Sequence, residues 1–214
     1  WDADDLAAAV ERDIEPMVYT PVGDLLEKIA ARRQRPVSIH VCVDTGIGRG
    51  NDFIDSLYPH ASVSLVDELH RCGVDERDVQ LIVNSHLHFD HCGQNHALAC
   101  PIAVQAAELE AAGQPHYTVD DWATIPEHRA QVIDGDVDLC DGVRVLLTPG
   151  HTPGSHCLSC GGSVFTGDTL FVNACGRCDF EGSDVVKMYQ SLFDVLGALN
   201  SETRVFPGHD YGDV

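Results

Sequence analysis

Short alternating or uniformly apolar runs along the chain are separated by turn-forming residues, and longer stretches carry the three-to-four-residue apolar spacing of helices. That spacing predicts helices over residues 5–13 and 22–34, with Pro21 and Gly23 marking the entry to the second, and over residues 63–72, closed by Gly73. Residues 38–43 alternate and are rich in Val and Ile, which predicts a strand stopping at Asp44-Thr45-Gly46, with residues 46–50 as a loop. Residues 78–83 read as a buried strand that delivers the chain to Asn84-Ser85-His86. Residues 93–99 look like a helix start, 102–105 a strand, and 106–112 a short helix closed by Gly113. After a polar excursion over residues 113–130, taken to cover the site, strands are expected at 131–133 and 143–147, separated by Asp134-Gly135-Asp136. Residues 156–160 and 163–166 read as a hairpin around Gly161-Gly162, residues 183–199 as a strongly amphipathic helix, and 203–206 as a final strand.

This alternation of strands and helices, with chemically capable residues just past strand ends, predicts an α/β layered domain with its sites on loops at one edge. No internal repeat or low-complexity linker interrupts it, so residues 1–214 read as one domain, with residues 1–36 as a helical N-terminal segment.

Composition narrows the function classes. A hydrophobic share of 44% is ordinary for a globular chain, and no apolar run approaches the roughly 18 residues needed to span a bilayer. The 34 acidic residues against 13 basic ones give a net charge of −21, a field that repels phosphate backbones and argues against nucleic acid as a partner. Nine cysteines is an odd number, and they lie in apolar stretches, so most are expected as reduced, buried thiols of a cytoplasmic protein. The acidic start Trp1-Asp2-Ala3-Asp4-Asp5 lacks a signal-peptide layout and an initiator Met, so the chain reads as processed or as a fragment. Nothing in the sequence reports on oligomeric state.

The chemistry centres on His86-Leu87-His88-Phe89-Asp90-His91, four potential ligands within six residues directly after a predicted strand. In extended backbone, residues two apart point the same way, so His86 and His88 can converge on one ion while Asp90 and His91 turn toward a second. Imidazole and carboxylate are the usual zinc ligands, and each such group would carry a desolvation cost if buried without a task. Three further candidates repeat one arrangement of strand, glycine and ligand: His151 after Gly150, Asp168 after Gly167, and His209 after Gly208. A glycine there lets the backbone approach an ion closely.

Together, His-x-His-x-Asp-His, Gly-His, Gly-Asp and Gly-His resemble the metallo-β-lactamase fold hydrolases over residues 38–214. The resemblance implies a four-layer αβ/βα sandwich. It implies one metal on His86, His88 and His151, another on Asp90, His91 and His209, and Asp168 bridging both. Asp44 resembles the family's strand-end Asp, which acts behind the ligands. Residues 84–154 look like the N-acyl homoserine lactonases. Residues 165–211, through Cys175-Gly176-Arg177, Phe180-Glu181-Gly182 and Gly208-His209-Asp210-Tyr211, look like glyoxalase II and the persulfide dioxygenases. In glyoxalase II the residues matching Arg177 and Tyr211 contact the thiol-conjugate part of the substrate.

The expected chemistry is hydrolysis of a small-molecule thioester or lactone by water activated between two zinc ions, with Asp90 orienting the nucleophile or receiving its proton and Tyr211 donating to substrate. Two other readings stay open. His86, His151 and Asp168 would suit one non-haem Fe(II) in a persulfide dioxygenase. Alternatively, Cys157-x-x-Cys160 and Cys175-x-x-Cys178 lie near zinc-ribbon spacing, which would make a non-enzymatic zinc module.

Overall fold

A computed structural model describes residues 45, 52–57, 64–71, 73–115, 117–140 and 142–209. The helices expected over 5–13 and 22–34, the strand over 38–43, the loop over 46–50, and the candidates Asp44 and Tyr211 lie outside the described residues. Among the described residues the helices are α1 (Asp52–Leu57), α2 (Leu65–Arg71), α3 (Phe89–Cys92), α4 (Ala106–Ala112), α5 (Asp120–Ala123) and α6 (Val185–Gln190). The strands are β1 (Ile82–Val83), β2 (Ile102–Gln105), β3 (Ala130–Ile133), β4 (Val137–Cys140), β5 (Val143–Leu147), β6 (His156–Cys160), β7 (Ser163–Phe165) and β8 (Arg204–Phe206). They form a three-stranded sheet ordered β1-β2-β3 and a five-stranded sheet ordered β4-β5-β6-β7-β8.

By contact, the chain divides into two compact units interleaved in sequence. The first takes residues up to 84, 88–103 and 118–131. In it β1 and β2 pair in parallel, Ile82 opposite Ile102 and Val83 opposite Ala103, and all four are buried. The strand expected over 78–83 is shorter than its apolar pattern. Asp75 accepts a hydrogen bond from the Arg77 N–H at 2.9 Å and caps a 3₁₀ turn at Glu76–Asp78, which takes the first residue of that run out of the sheet. The polar excursion holds a short helix, α5, and a turn whose Arg129 guanidinium donates to the carbonyls of Cys100 and Asn95.

The second unit takes residues 85–87, 104–117 and those from 132 onward. β4 was not anticipated, because its four residues sit between turn-like acidic flanks. It pairs antiparallel with β5, setting Asp138 opposite Arg144. β6 and β7 make the expected hairpin. β7 and β8 run parallel with Phe165 opposite Phe206, their rings stacked at 5.0 Å. The core gathers Leu146, Cys157 and Val164, with Val195, Leu196 and Leu199 packed against it. The expected helix over 183–199 is not uniform. α6, capped by the Asp184 carboxylate on the N–H groups of Val186 and Lys187, widens into a π-helical turn over Ser191–Val195 and tightens to 3₁₀ over Leu196–Ala198. The wide turn begins where the Ser191 hydroxyl donates to the Pro149 carbonyl at 2.7 Å, tying the helix to the His151 loop. Nor do its apolar positions all turn inward: Val185, Val186, Tyr189 and Phe193 are exposed, with the Tyr189 and Phe193 rings 4.5 Å apart.

Cys157 makes the core sensitive to alkali. Burial pushes its thiol up from 9.0 to about 11. Its share of stability is complete below pH 9. It is lost between about pH 9 and 11, where the unfolded thiol ionises and the folded one does not. The full loss is about 3 kcal/mol. Cys157→Ala is expected to flatten the fall of unfolding free energy over that window, as read by urea titrations at stepped pH.

No helix among the described residues is long and apolar enough to cross a membrane.

Candidate metal centre

Strand direction brings three of the expected ligands to one end of the larger sheet. β5 is antiparallel to β6, β6 is antiparallel to β7, and β7 is parallel to β8, so β5, β7 and β8 run the same way. The loops leaving their C-terminal ends carry His151, Asp168 and His209 respectively. β6 runs the opposite way, so His156, its first residue, lies at that same end. Its N–H donates to the Ser85 carbonyl at 3.0 Å, which draws His86 into the cluster. Two glycines allow the loops to close up. Gly167 sits at φ +45°, and a Cβ there would lie 2.6 Å from the Ser85 side chain. A Cβ at Gly208 would collide with the Gly167 backbone. The glycines preceding Asp168 and His209 thus serve loop-on-loop contact, whereas the sequence had suggested closeness to an ion.

Within this unit the side chains converge. His86 is fully buried, with Nδ1 3.1 Å from Ser85 Oγ, and its ring meets that of His151 edge-on at 4.9 Å. His151 also packs edge-on against Phe180. Its Nε2 lies 3.3 Å from Asp168 Oδ2, and His209 Nε2 lies 3.2 Å from Asp168 Oδ1, so each carboxylate oxygen faces a different imidazole. The partner of His151 Nδ1 is the Arg177 carbonyl, 3.0 Å away. A carbonyl can only accept, so Nδ1 carries the proton and Nε2 is the nitrogen left to face the carboxylate.

This donor set fits a divalent cation. Two ligand atoms about 2.0–2.1 Å from one tetrahedral zinc stand roughly 3.3 Å apart, whereas a charge-assisted N–H···O contact closes to about 2.7–2.9 Å. The 3.2 and 3.3 Å separations at Asp168 match the former. His86 also offers a ligand nitrogen within 4.8 Å of one of His151, and one within 4.8 Å of a ligand atom of Asp168. Imidazole and carboxylate suit zinc, and the same set suits Fe(II).

In the first unit the motif continues. His88 is half-buried in extended backbone at the N-cap position of α3, which carries Asp90 and His91 in its only turn. The sequence had suggested loop here, and the helix start is what turns Asp90 and His91 away from His88. His91 is buried, with Nε2 3.6 Å from Asp90 Oδ2. Its carbonyl accepts from Thr45 Oγ1 at 2.9 Å and Asn84 Nδ2 at 3.2 Å, and Asn95 Nδ2 in turn donates to Asn84 Oδ1.

The signature of the Metallo-beta-lactamase superfamily matches residues 40–209. The chain belongs to that superfamily. An N-acyl homoserine lactonase from a Bacillus species is 42% identical over 157 residues, 68% of this chain and 62% of the relative. A hydroxyacylglutathione hydrolase from Maricaulis maris (strain MCS10) is 42% identical over 134 residues, 61% of this chain and 48% of the relative. The chain therefore spans about three fifths of the one and half of the other. Among solved structures, that of an N-acyl homoserine lactone hydrolase with its product N-hexanoyl-L-homoserine at the catalytic metal center is similar with a TM-score of 0.64. It is 28% identical, and the match covers 79% of this chain and 76% of that one. The α/β architecture of this chain is the metallo-β-lactamase fold.

In this superfamily member, the Arg177 side chain is exposed. Asp179 holds it through contacts of 2.7 and 3.0 Å, and its guanidinium carbon lies 5.9 Å from the Phe180 ring centroid. That pairing raises the Arg177 pKa further and holds the Asp179 carboxyl below its ordinary range. What sequence reasoning missed is the main-chain role of Arg177, whose carbonyl orients His151; a backbone contact leaves no mark on residue type. The paired-cysteine site gains nothing from the structure. All six cysteines described as free stand outside the ligand groups found among the described residues, and Cys157 Sγ contacts Thr148 Oγ1 while Cys178 Sγ contacts the Gly150 carbonyl.

Proposed function

We propose that this chain is a metal-dependent hydrolase that cleaves an activated acyl carbonyl in a lactone or thioester. Two divalent cations, zinc in the simplest case, would be held by His86, His88, His151, Asp90, His91, His209 and Asp168. The observation that carries this reading is the Asp168 carboxylate, which turns one oxygen toward each of two imidazoles at 3.3 and 3.2 Å. His88, Asp90 and His91 enter through their place on the chain directly after His86-Leu87.

When bound, the cations supply Lewis-acid activation of water and of the scissile carbonyl. The rest falls to the chain. The Arg177 carbonyl fixes the proton on His151 Nδ1 and so points Nε2 inward. Asp90, partly exposed, orients the attacking water or takes its proton. By the family resemblance, Arg177 and Tyr211 would contact substrate and Asp44 would act behind the ligands. The lactone is supported by the 42% identity to the Bacillus lactonase and by the product-bound homoserine lactone hydrolase. The thioester is supported by the hydroxyacylglutathione hydrolase. We place the activity in the cytoplasm because the cysteines, odd in number and set in apolar stretches, suit reduced thiols.

Side-by-side assays on N-hexanoyl homoserine lactone, S-lactoylglutathione and a glutathione persulfide, with metal analysis of the same preparation, test the reading. Two zinc per chain with turnover of the lactone or the thioester is the expected result. One iron with oxygen-consuming persulfide turnover would replace it with the dioxygenase. Bound zinc with no turnover of any of the three would leave a binding module.

A further inference from the structure

Glu108 lies in α4 and is 1% exposed, in a helix whose sequence, Ala-Ala-Glu-Leu-Glu-Ala-Ala, reads as an ordinary solvated face. Its two oxygens meet four donors. Oε1 accepts from the Leu87 N–H at 2.8 Å and from the Tyr117 hydroxyl. Oε2 accepts from the Thr152 hydroxyl at 2.6 Å and from the Gly154 N–H at 3.0 Å. Leu87 is the residue between His86 and His88, and Thr152 directly follows His151. One buried carboxylate therefore grips two loops that are far apart in sequence, each beside a histidine.

A buried carboxylate is costly unless its oxygens are met by donors, and here they are. Two of those donors are backbone N–H groups, which cannot rotate away as a hydroxyl can, so they fix the path of each loop. Gly154 permits the grip: a Cβ there would lie 2.5 Å from the Glu108 nitrogen and 2.8 Å from its Cα. An apolar core residue would fill the same space, but it would not fix two N–H vectors. We infer that Glu108 is a positioning residue that sets the separation of His86 and His151 for metal binding, acting through the Leu87, Thr152 and Gly154 contacts rather than touching metal or substrate.

This inference rests on the metal-centre reading above. Glu108→Gln keeps the shape but turns one oxygen into an amide donor, so one of the two loops loses its acceptor. With the full chain, competition against a chelator is expected to show zinc bound roughly 10- to 100-fold more weakly. The visible d–d spectrum of the cobalt-substituted variant is expected to shift, because that spectrum reports coordination geometry. Thr152→Ala is expected to weaken binding less than Glu108→Gln, and Thr152→Ser to restore it, which decides the matter even if Glu108→Gln fails to fold. Wild-type affinity and an unaltered cobalt spectrum in Glu108→Gln, or in Thr152→Ala where that variant must decide, would overturn the inference while leaving the metal reading intact. A wild-type chain that takes up neither zinc nor cobalt would overturn both.

Discussion

Asp168→Asn is expected to lower turnover of the lactone or thioester by on the order of 10³-fold or more and to reduce bound zinc from two per chain toward one or none. The amide has nearly the same size and stays in the same 3₁₀ turn, Gly167–Thr169, so packing of that turn is not what changes. What changes is charge and donor character. The carboxylate offers an anionic oxygen to each of two imidazole nitrogens at 3.2 and 3.3 Å, and an amide offers one neutral oxygen and an NH₂ group. On the bridging side a donor then faces the nitrogen that should share a cation with it. Metal analysis after dialysis, alongside the rate, separates this from a general loss of fold. An Asp168→Asn protein that keeps two zinc ions and most of its rate would remove the bridge from the proposal, and with it the observation on which the metal centre stands.

The family fold was legible in the sequence, and so were candidate side chains that the structure brings together. His86, His151, Asp168 and His209 were readable as candidate ligands because ligand chemistry depends on residue type, and each lies just past a stretch that reads as a strand. The strand ends were readable as well, and the parallel sense of β5, β7 and β8 brings His151, Asp168 and His209 to one end of the sheet, where the His156–Ser85 contact adds His86. Features that depend on backbone groups or on long-range partners were not readable. The carbonyl of Arg177 that orients His151 could belong to any residue. Glu108 looks like a surface acid until Leu87, Thr152 and Gly154 are seen around it. β4 is stabilised by its pairing with β5 rather than by its own pattern. The break from α6 into wider and then tighter turns follows from a tie between Ser191 and Pro149, 42 residues away.

Gly167→Ala is expected to destabilise the fold by about 2–5 kcal/mol, and two separable causes contribute. Gly167 holds φ at +45°, a conformation that costs a non-glycine residue about 1–2 kcal/mol. Its added Cβ would also lie 2.6 Å from both Cβ and Oγ of Ser85, and relieving such a clash in a packed interior costs about 1–3 kcal/mol. Ser85 is buried and next to His86, so the strand end cannot retreat without moving a ligand. The melting temperature should therefore fall by about 6–15 °C. The two causes part in a double-mutant cycle. Ser85→Gly removes the atoms that the new Cβ meets, so the pair Ser85→Gly with Gly167→Ala should recover the steric share and keep the backbone share. Gly208→Ala makes the contrast, since its Cβ would meet the backbone of Gly167, which no side-chain change can clear. If Gly167→Ala melted within a degree or two of the parent, the close approach of the Ser85 and Asp168 loops would not be a feature of the folded chain. The convergence of His86 on Asp168 would then lose its structural basis.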